Sequence, residues 1–240
     1  MVRVRAGMLI RAGAVVLAVI AASVALVVLR TSQIALTTLF ATNRLNHEVT
    51  YQTLGLVIAA LFVLLARGLG GPQVLQFLRP HRFSGEVTPV RWLGIRPKEG
   101  EGWLQVGTSF LVIITLVTAV AVYLPVARAG ELRFSIGGVL LPALVFAVAN
   151  SFTEEVVFRF SITGVFLENG ISAASAAIAS GVLFGGVHYF GTPGGVPGIL
   201  LAGFLGWLLS KSIAETRVYG WAWLIHFGQD VIIFVAIFGT

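Results

Sequence analysis

Long apolar runs alternate with short polar stretches along this chain, and most of the runs have the length of a bilayer crossing. Ala12 to Leu29 is the first of them, and about 20 apolar residues suffice to cross a hydrocarbon core. A basic start, MVRVRAGMLIR, precedes it in the manner of a secretory leader. No small-residue cleavage site marks its end at Arg30, so it reads as a retained spanning helix. Tyr51–Ala66, Leu104–Val126, Ile171–Tyr189, Ile199–Ser210 and Tyr219–Phe238 read as further spans. Residues 136–168 are apolar for longer than a bilayer requires: as a single helix they would reach about 50 Å. That segment must tilt, bend or break, and Pro142 is the expected place. Asn169-Gly170 then reads as its terminating turn. The pattern predicts an all-α, polytopic transmembrane bundle of about seven to eight helices, with no internal repeat and its site in a polar cavity inside the membrane.

The polar stretches divide the chain. TSQIALTTLFATNRLNHEVT, between the first two spans, is too polar to cross and reads as partly interfacial. Residues 67–103 carry Arg67, Arg79, Arg82, Arg91, Arg96 and Lys98 together with Pro72, Pro80, Pro89 and Pro97. The prolines argue against a continuous helix, and the cations place this loop and the N-terminus on the cytoplasmic side. Two parts follow: residues 1–135, spanning helices with the basic loop, and residues 136–240, a helical core. FGTPGGVPG reads as a tight loop between the fifth and sixth spans.

Composition sharpens this picture. Of the 240 residues, 57% are hydrophobic and 11% charged, against about 25% charged in soluble domains. The net charge of +6 would suggest a nucleic-acid partner in a soluble protein. Here the cations suit anionic lipid headgroups, and nucleic acid is not expected. The chain has no cysteine, which excludes disulfides, iron–sulfur clusters, Cys-ligated zinc and a thiol nucleophile. The Gly- and Ala-rich spans and the basic loop point to a prokaryotic cell membrane.

Ionisable groups within spans are costly, and each is a candidate for function. Glu154, Glu155, Arg159, His188, His226 and Asp230 all fall within predicted spans of the C-terminal half. Glu155 and Arg159 are four apart, share a helix face and can pair. Glu154 is turned about 100° away, with no partner of its own on the helix. A hairpin at Asn169-Gly170 places Glu154 about 15 residues before the turn and His188 about 18 after it, within roughly 4–5 Å of the same depth. A glutamate and a histidine so placed can hold and activate a water. His226 and Asp230, also four apart, can bind a carbonyl or its developing oxyanion, or Asp230 can orient His226. Phe184 and Asn150 read as a cavity wall and an interhelical hydrogen-bonding residue.

Three motifs in order carry a family resemblance: Glu154-Glu155-x-x-x-Arg159, Phe184-x-x-x-His188 and His226-x-x-x-Asp230. Residues 136–238 resemble the CAAX-processing and bacteriocin-processing (CPBP, or Abi) family of intramembrane proteases. The resemblance implies an endopeptidase acting on a lipidated or membrane-inserted peptide, with membrane lipids as surroundings. It implies that Glu154 is the base that activates water together with His188. Glu155 would hold Arg159, Phe184 would support the site, and His226 with residue 230 would stabilise the oxyanion. Many members have Asn in that last position, where this chain has Asp230. An ionised carboxylate only accepts hydrogen bonds, so orienting His226 is the safer role. Glu154, His188 and His226 could supply three zinc ligands. No His-Glu-x-x-His motif is present, and the reading favours a glutamate mechanism without tightly bound metal. Two other functions use the same features: a non-proteolytic scaffold or bacteriocin-immunity protein, and a proton-coupled carrier.

Overall fold

The computed structural model describes residues 2–79, 83–130, 138–191 and 194–239, with side chains from residue 6 onward. The side chains of Arg3 and Arg5, Pro80 and Arg82 of the basic loop, the boundary drawn at residues 135/136, and Thr192-Pro193 of the tight loop lie outside the described residues.

Seven of the helical segments are long and apolar enough to cross a membrane, and the protein is a multi-pass, all-helical bundle. In hydrocarbon every backbone N–H and C=O must be satisfied within the segment, which leaves the helix as the conformation for each isolated apolar run. The helices are α1 (Val2–Ser32), α2 (Asn43–Gly70), α3 (Trp103–Arg128), α4 (Leu140–Glu154), α5 (Ser161–Glu168), α6 (Ala173–Val187), α7 (Gly195–Thr216) and α8 (Gly220–Gly239). Among the described residues there is no β-strand, only isolated bridges at Glu86–Gly102 and Val90–Ile95.

Two expectations are corrected. The second span begins at Asn43, not Tyr51, because Thr42 caps it by accepting from the Leu45 N–H. The stretch read as interfacial therefore supplies a helical turn with Asn46, His47, Glu48 and Thr50 buried. Nor does Pro142 break the fourth span. It lies in the first turn of α4, where a missing N–H costs nothing. The irregularity comes later: α4 and α5 join through a π-helical turn, Glu155–Phe160, in which the Ser161 N–H bonds to the Val156 carbonyl five residues back. Such widened turns are frequent at functional sites. The turn at Asn169-Gly170 falls where the sequence placed it, with Gly170 at φ 72° and Asn169 Nδ2 donating to the Leu69 and Val165 carbonyls.

The helices α6 and α7 approach closely through glycine. A Cβ added at Gly185 would lie 2.7 Å from the Ile199 carbonyl oxygen, and one at Gly181 would lie 2.8 Å from that of Gly203. Small residues at such contacts replace the hydrophobic drive that lipid does not supply. Gly185→Val forces backbone apart and is expected to destabilise the protein by about 1–3 kcal/mol, read as a lowered melting temperature in detergent. The basic loop is tied to one end of the bundle. Trp103 Nε1 donates to Glu215 (2.8 Å), the Thr88 N–H donates to Glu215 (3.3 Å), and Trp221 Nε1 donates to the Phe83 carbonyl (2.8 Å). Lys211 also pairs with Glu215.

Candidate functional site

The two glutamates stand where α4 meets the π-helical turn, and both reach the same imidazole on α8. Glu155 Oε1 lies 2.7 Å from His226 Nδ1, and Glu154 Oε2 lies 3.4 Å from His226 Nε2. The sequence had turned Glu154 away from Glu155 and toward His188. In the fold the two adjacent carboxylates flank His226: Glu155 hydrogen-bonds Nδ1, and Glu154 approaches Nε2 without a hydrogen bond. Glu155 also keeps its expected ion pair, with Arg159 Nη1 at 3.2 Å and both side chains fully buried.

Phe184 sits at the centre of the cluster. The Arg159 guanidinium lies 3.5 Å from its ring centroid, a cation–π contact in a desolvated setting. Its ring centroid is 4.1 Å from that of His188, 5.7 Å from that of His226 and 5.2 Å from that of Phe158. His188, just past the end of α6, has Nδ1 2.9 Å from the Phe184 carbonyl. A carbonyl only accepts, so Nδ1 carries the hydrogen and Nε2 keeps the free lone pair.

Asn150 connects the acidic groups. Its Nδ2 donates to Glu154 Oε1 (3.3 Å) and to Asp230 Oδ2 (3.0 Å), and its Oδ1 accepts from Gln52 Nε2 (3.5 Å). One amide thus fixes two carboxylates on different helices, as the interhelical reading of Asn150 anticipated. Glu154 does have a partner on its own helix. Asp230 Oδ1 lies 3.7 Å from His226 Nε2. The chain of contacts continues outward: Gln52 Nε2 donates to Glu48 Oε1 (2.8 Å), and Arg30 Nη1 donates to Glu48 Oε2 (2.5 Å). Arg30 also lies over the Tyr51 ring, 4.8 Å from its centroid.

Arg30, Glu48 and Gln52 were missed in the sequence. The signal was there: Glu48 and Gln52 are four apart and end a stretch rich in Asn, His and Glu. The polarity of residues 31–50 reads as interfacial and leaves Glu48 outside the second span, whereas α2 begins at Asn43.

Glu154, His188, His226 and Asp230 line one cavity of about 460 Å³ together with Arg30, Tyr51, Asn150 and Phe184. Much of the remaining wall is apolar, from Leu26 and Val27 on α1, Ile113 and Val117 on α3, and Leu201 and Leu205 on α7. Polar groups therefore share the chamber with largely apolar walls, the usual build of a small-ligand site.

Zinc was the metal this donor set would accept. Among the described residues no three His, Asp or Glu side chains are placed to hold an ion, and His226 already has both ring nitrogens against carboxylates. The set does not fit a metal as arranged.

Fold and site together describe a multi-pass membrane protein with a carboxylate–imidazole centre inside the bilayer. Residues 136–232 match the family model described as Rce1-like, type II CAAX prenyl endopeptidase. The three motifs lie within that segment, and the match names the family that their resemblance pointed to. No curated protein and no solved structure matches the chain.

Proposed function

We propose that the protein is an intramembrane endopeptidase that hydrolyses a peptide bond of a lipidated or membrane-inserted substrate, with residues 136–240 as its catalytic core. One observation carries the reading: Glu154, two histidines and Asp230 line a single cavity with apolar walls inside the membrane. The match of residues 136–232 to an endopeptidase family supports it.

In this mechanism a water sits between Glu154 and His188. Glu154 takes one of its protons, and His188 Nε2 holds the other by accepting a hydrogen bond. The hydroxide oxygen bonds to the scissile carbonyl carbon, and the carbonyl oxygen becomes an oxyanion. His226 donates Nε2–H to that oxyanion, a role that requires a proton on Nε2 as well as on the Nδ1 held by Glu155. The proton on Glu154 then passes to the amide nitrogen, the C–N bond breaks, and the proton left on the new carboxyl group moves to the amine, so that a carboxylate and an ammonium leave. Asp230 accepts from Asn150 and faces His226 Nε2, so it helps Glu155, at Nδ1, to orient the imidazole. Glu155, Arg159 and Phe184 hold His226 and His188 in place.

Asn150 is the cheapest point at which to disturb this arrangement. Asn150→Ala removes donors to two carboxylates, each worth about 1.5–3 kcal/mol as a charge-assisted bond. A loss of roughly 10–100-fold in kcat is expected if one such bond is felt in the transition state, with KM little changed. The test of the function is cleavage of quenched peptides by purified protein in liposomes, comparing a prenylated CAAX peptide with unlipidated membrane peptides. Cleavage of either supports the reading. A folded protein that cleaves none of a broad peptide set, yet retains a membrane partner on purification, favours the scaffold function instead.

A further inference from the structure

Asn150 donates through Nδ2 to both Glu154 and Asp230. A side-chain amide has two ends of similar shape, one that donates and one that accepts. Turned over, Asn150 would set Oδ1 against both carboxylates, and neither would receive a hydrogen bond. The group that holds the amide the right way round is on neither α4 nor α8. Gln52 of α2 donates from Nε2 to Asn150 Oδ1 at 3.5 Å, and from the same nitrogen to Glu48 Oε1 at 2.8 Å. An ionised Glu48 only accepts, so Gln52 cannot turn over without facing acceptor to acceptor. Glu48 is fixed in turn by Arg30 of α1, whose Nη1 donates to Oε2 at 2.5 Å. Each amide is thus oriented by the group behind it, from an ion pair between α1 and α2 to the two carboxylates beside His226.

The packing of α2 on α4 suits this contact. Glu48 and Gln52 are buried. Gly55, three residues past Gln52, faces Thr153, three residues past Asn150, and a Cβ added there would lie 3.2 Å from Thr153 Cγ2. A small residue at that crossing lets the two helices approach closely.

We infer that Gln52 is a positioning residue of the candidate site: it fixes the Asn150 amide, and through it the aim of Glu154 at the attacking water. The inference deepens the endopeptidase reading and rests on it for the effect on rate. Arg30, Glu48 and Gln52 lie outside residues 136–232, the segment that matches the family model. The working site of this chain therefore reaches beyond that segment, to α1 and α2.

Gln52→Met keeps an unbranched side chain and removes the donor. For the full-length protein in liposomes it is expected to lower kcat about 3–10-fold, the range of one neutral hydrogen bond, at unchanged KM. Added to Asn150→Ala it is expected to bring no further loss, because the group it acts through is gone. A residue that merely packs would lower kcat by the same factor in both backgrounds. Gln52→Ala makes the same removal in less volume and carries the same expectation. A second readout is the side-chain amide itself. Asn43, Asn46, Asn150 and Asn169 are the chain's asparagines. With ¹⁵N in their side chains, the Asn150 NH₂ signals are those lost in Asn150→Ala. Gln52→Met is expected to shift them and to leave those of Asn169, which donates to the Leu69 and Val165 carbonyls, in place. An unchanged kcat, a loss that appears in KM, losses that multiply, or unmoved Asn150 signals would overturn the inference. The signals do not depend on cleavage. If they shift in a protein that hydrolyses nothing, Gln52 stands as the group that orients Asn150, and the endopeptidase reading alone is removed.

Discussion

Glu154→Gln is expected to lower cleavage by at least about 10²–10⁴-fold, the range that a positioned general base contributes, while the protein folds and melts as before. The substitution keeps size and shape. The new amide oxygen can still accept from Asn150, which donates to Glu154 Oε1 at 3.3 Å in the native site. What it loses is the capacity to take a proton from water. Stability is preserved for a separate reason. Glu154, Glu155 and Asp230 crowd around His226, with Arg159 as the buried guanidinium of the cluster, so removing one carboxylate relieves repulsion and orphans no cation. Equal kcat in wild type and variant would remove Glu154 from the mechanism.

The second large effect is on stability. Arg159→Met leaves the fully buried Glu155 without its guanidinium, and breaking a buried pair by deleting one partner costs about 3–5 kcal/mol. His226 still holds the same carboxylate oxygen at 2.7 Å, which places the cost toward the lower end. The double variant Glu155→Met/Arg159→Met removes both charges and is expected to recover much of the lost melting temperature, since apolar replacements of buried pairs are often neutral. It should stay inactive, because His226 no longer has a group at Nδ1 to fix its ring. A single variant as stable as wild type would show that the pair does not hold the helices. An active double variant would show that Glu155 does not position His226.

Much of the architecture was legible because hydrocarbon imposes helices on apolar runs and spans of bilayer length are visible in composition. All seven spans could be drawn to within about three turns in this way, and the Asn169-Gly170 turn could be placed to the residue. The start of α2 was not visible, because its first turns are polar and their partners are distant in sequence: Arg30 for Glu48 and Asn150 for Gln52. The π-helical turn was not visible either. Pro142 is the stronger breaker by residue type, and nothing in EVVFRF announces a widened turn. Glu154, His188, His226 and Asp230, which share one cavity, could be picked out from the cost of burying charge in a membrane and from three motifs. Their pairing could not. A helix drawn at 100° per residue separates Glu154 from Glu155, whereas the tertiary contacts with α8 bring both to His226.

Hydrolysis by a Glu154-activated water is tested most directly by oxygen transfer. Wild type and Glu154→Gln, each in liposomes, are incubated with a membrane-anchored peptide substrate in ¹⁸O-labelled water, and the products are weighed by mass spectrometry. The mechanism predicts that wild type yields two fragments with one ¹⁸O in the new carboxyl group, and that the variant yields neither. Cleavage that persists in the variant, or a new carboxyl group without the label, would contradict it.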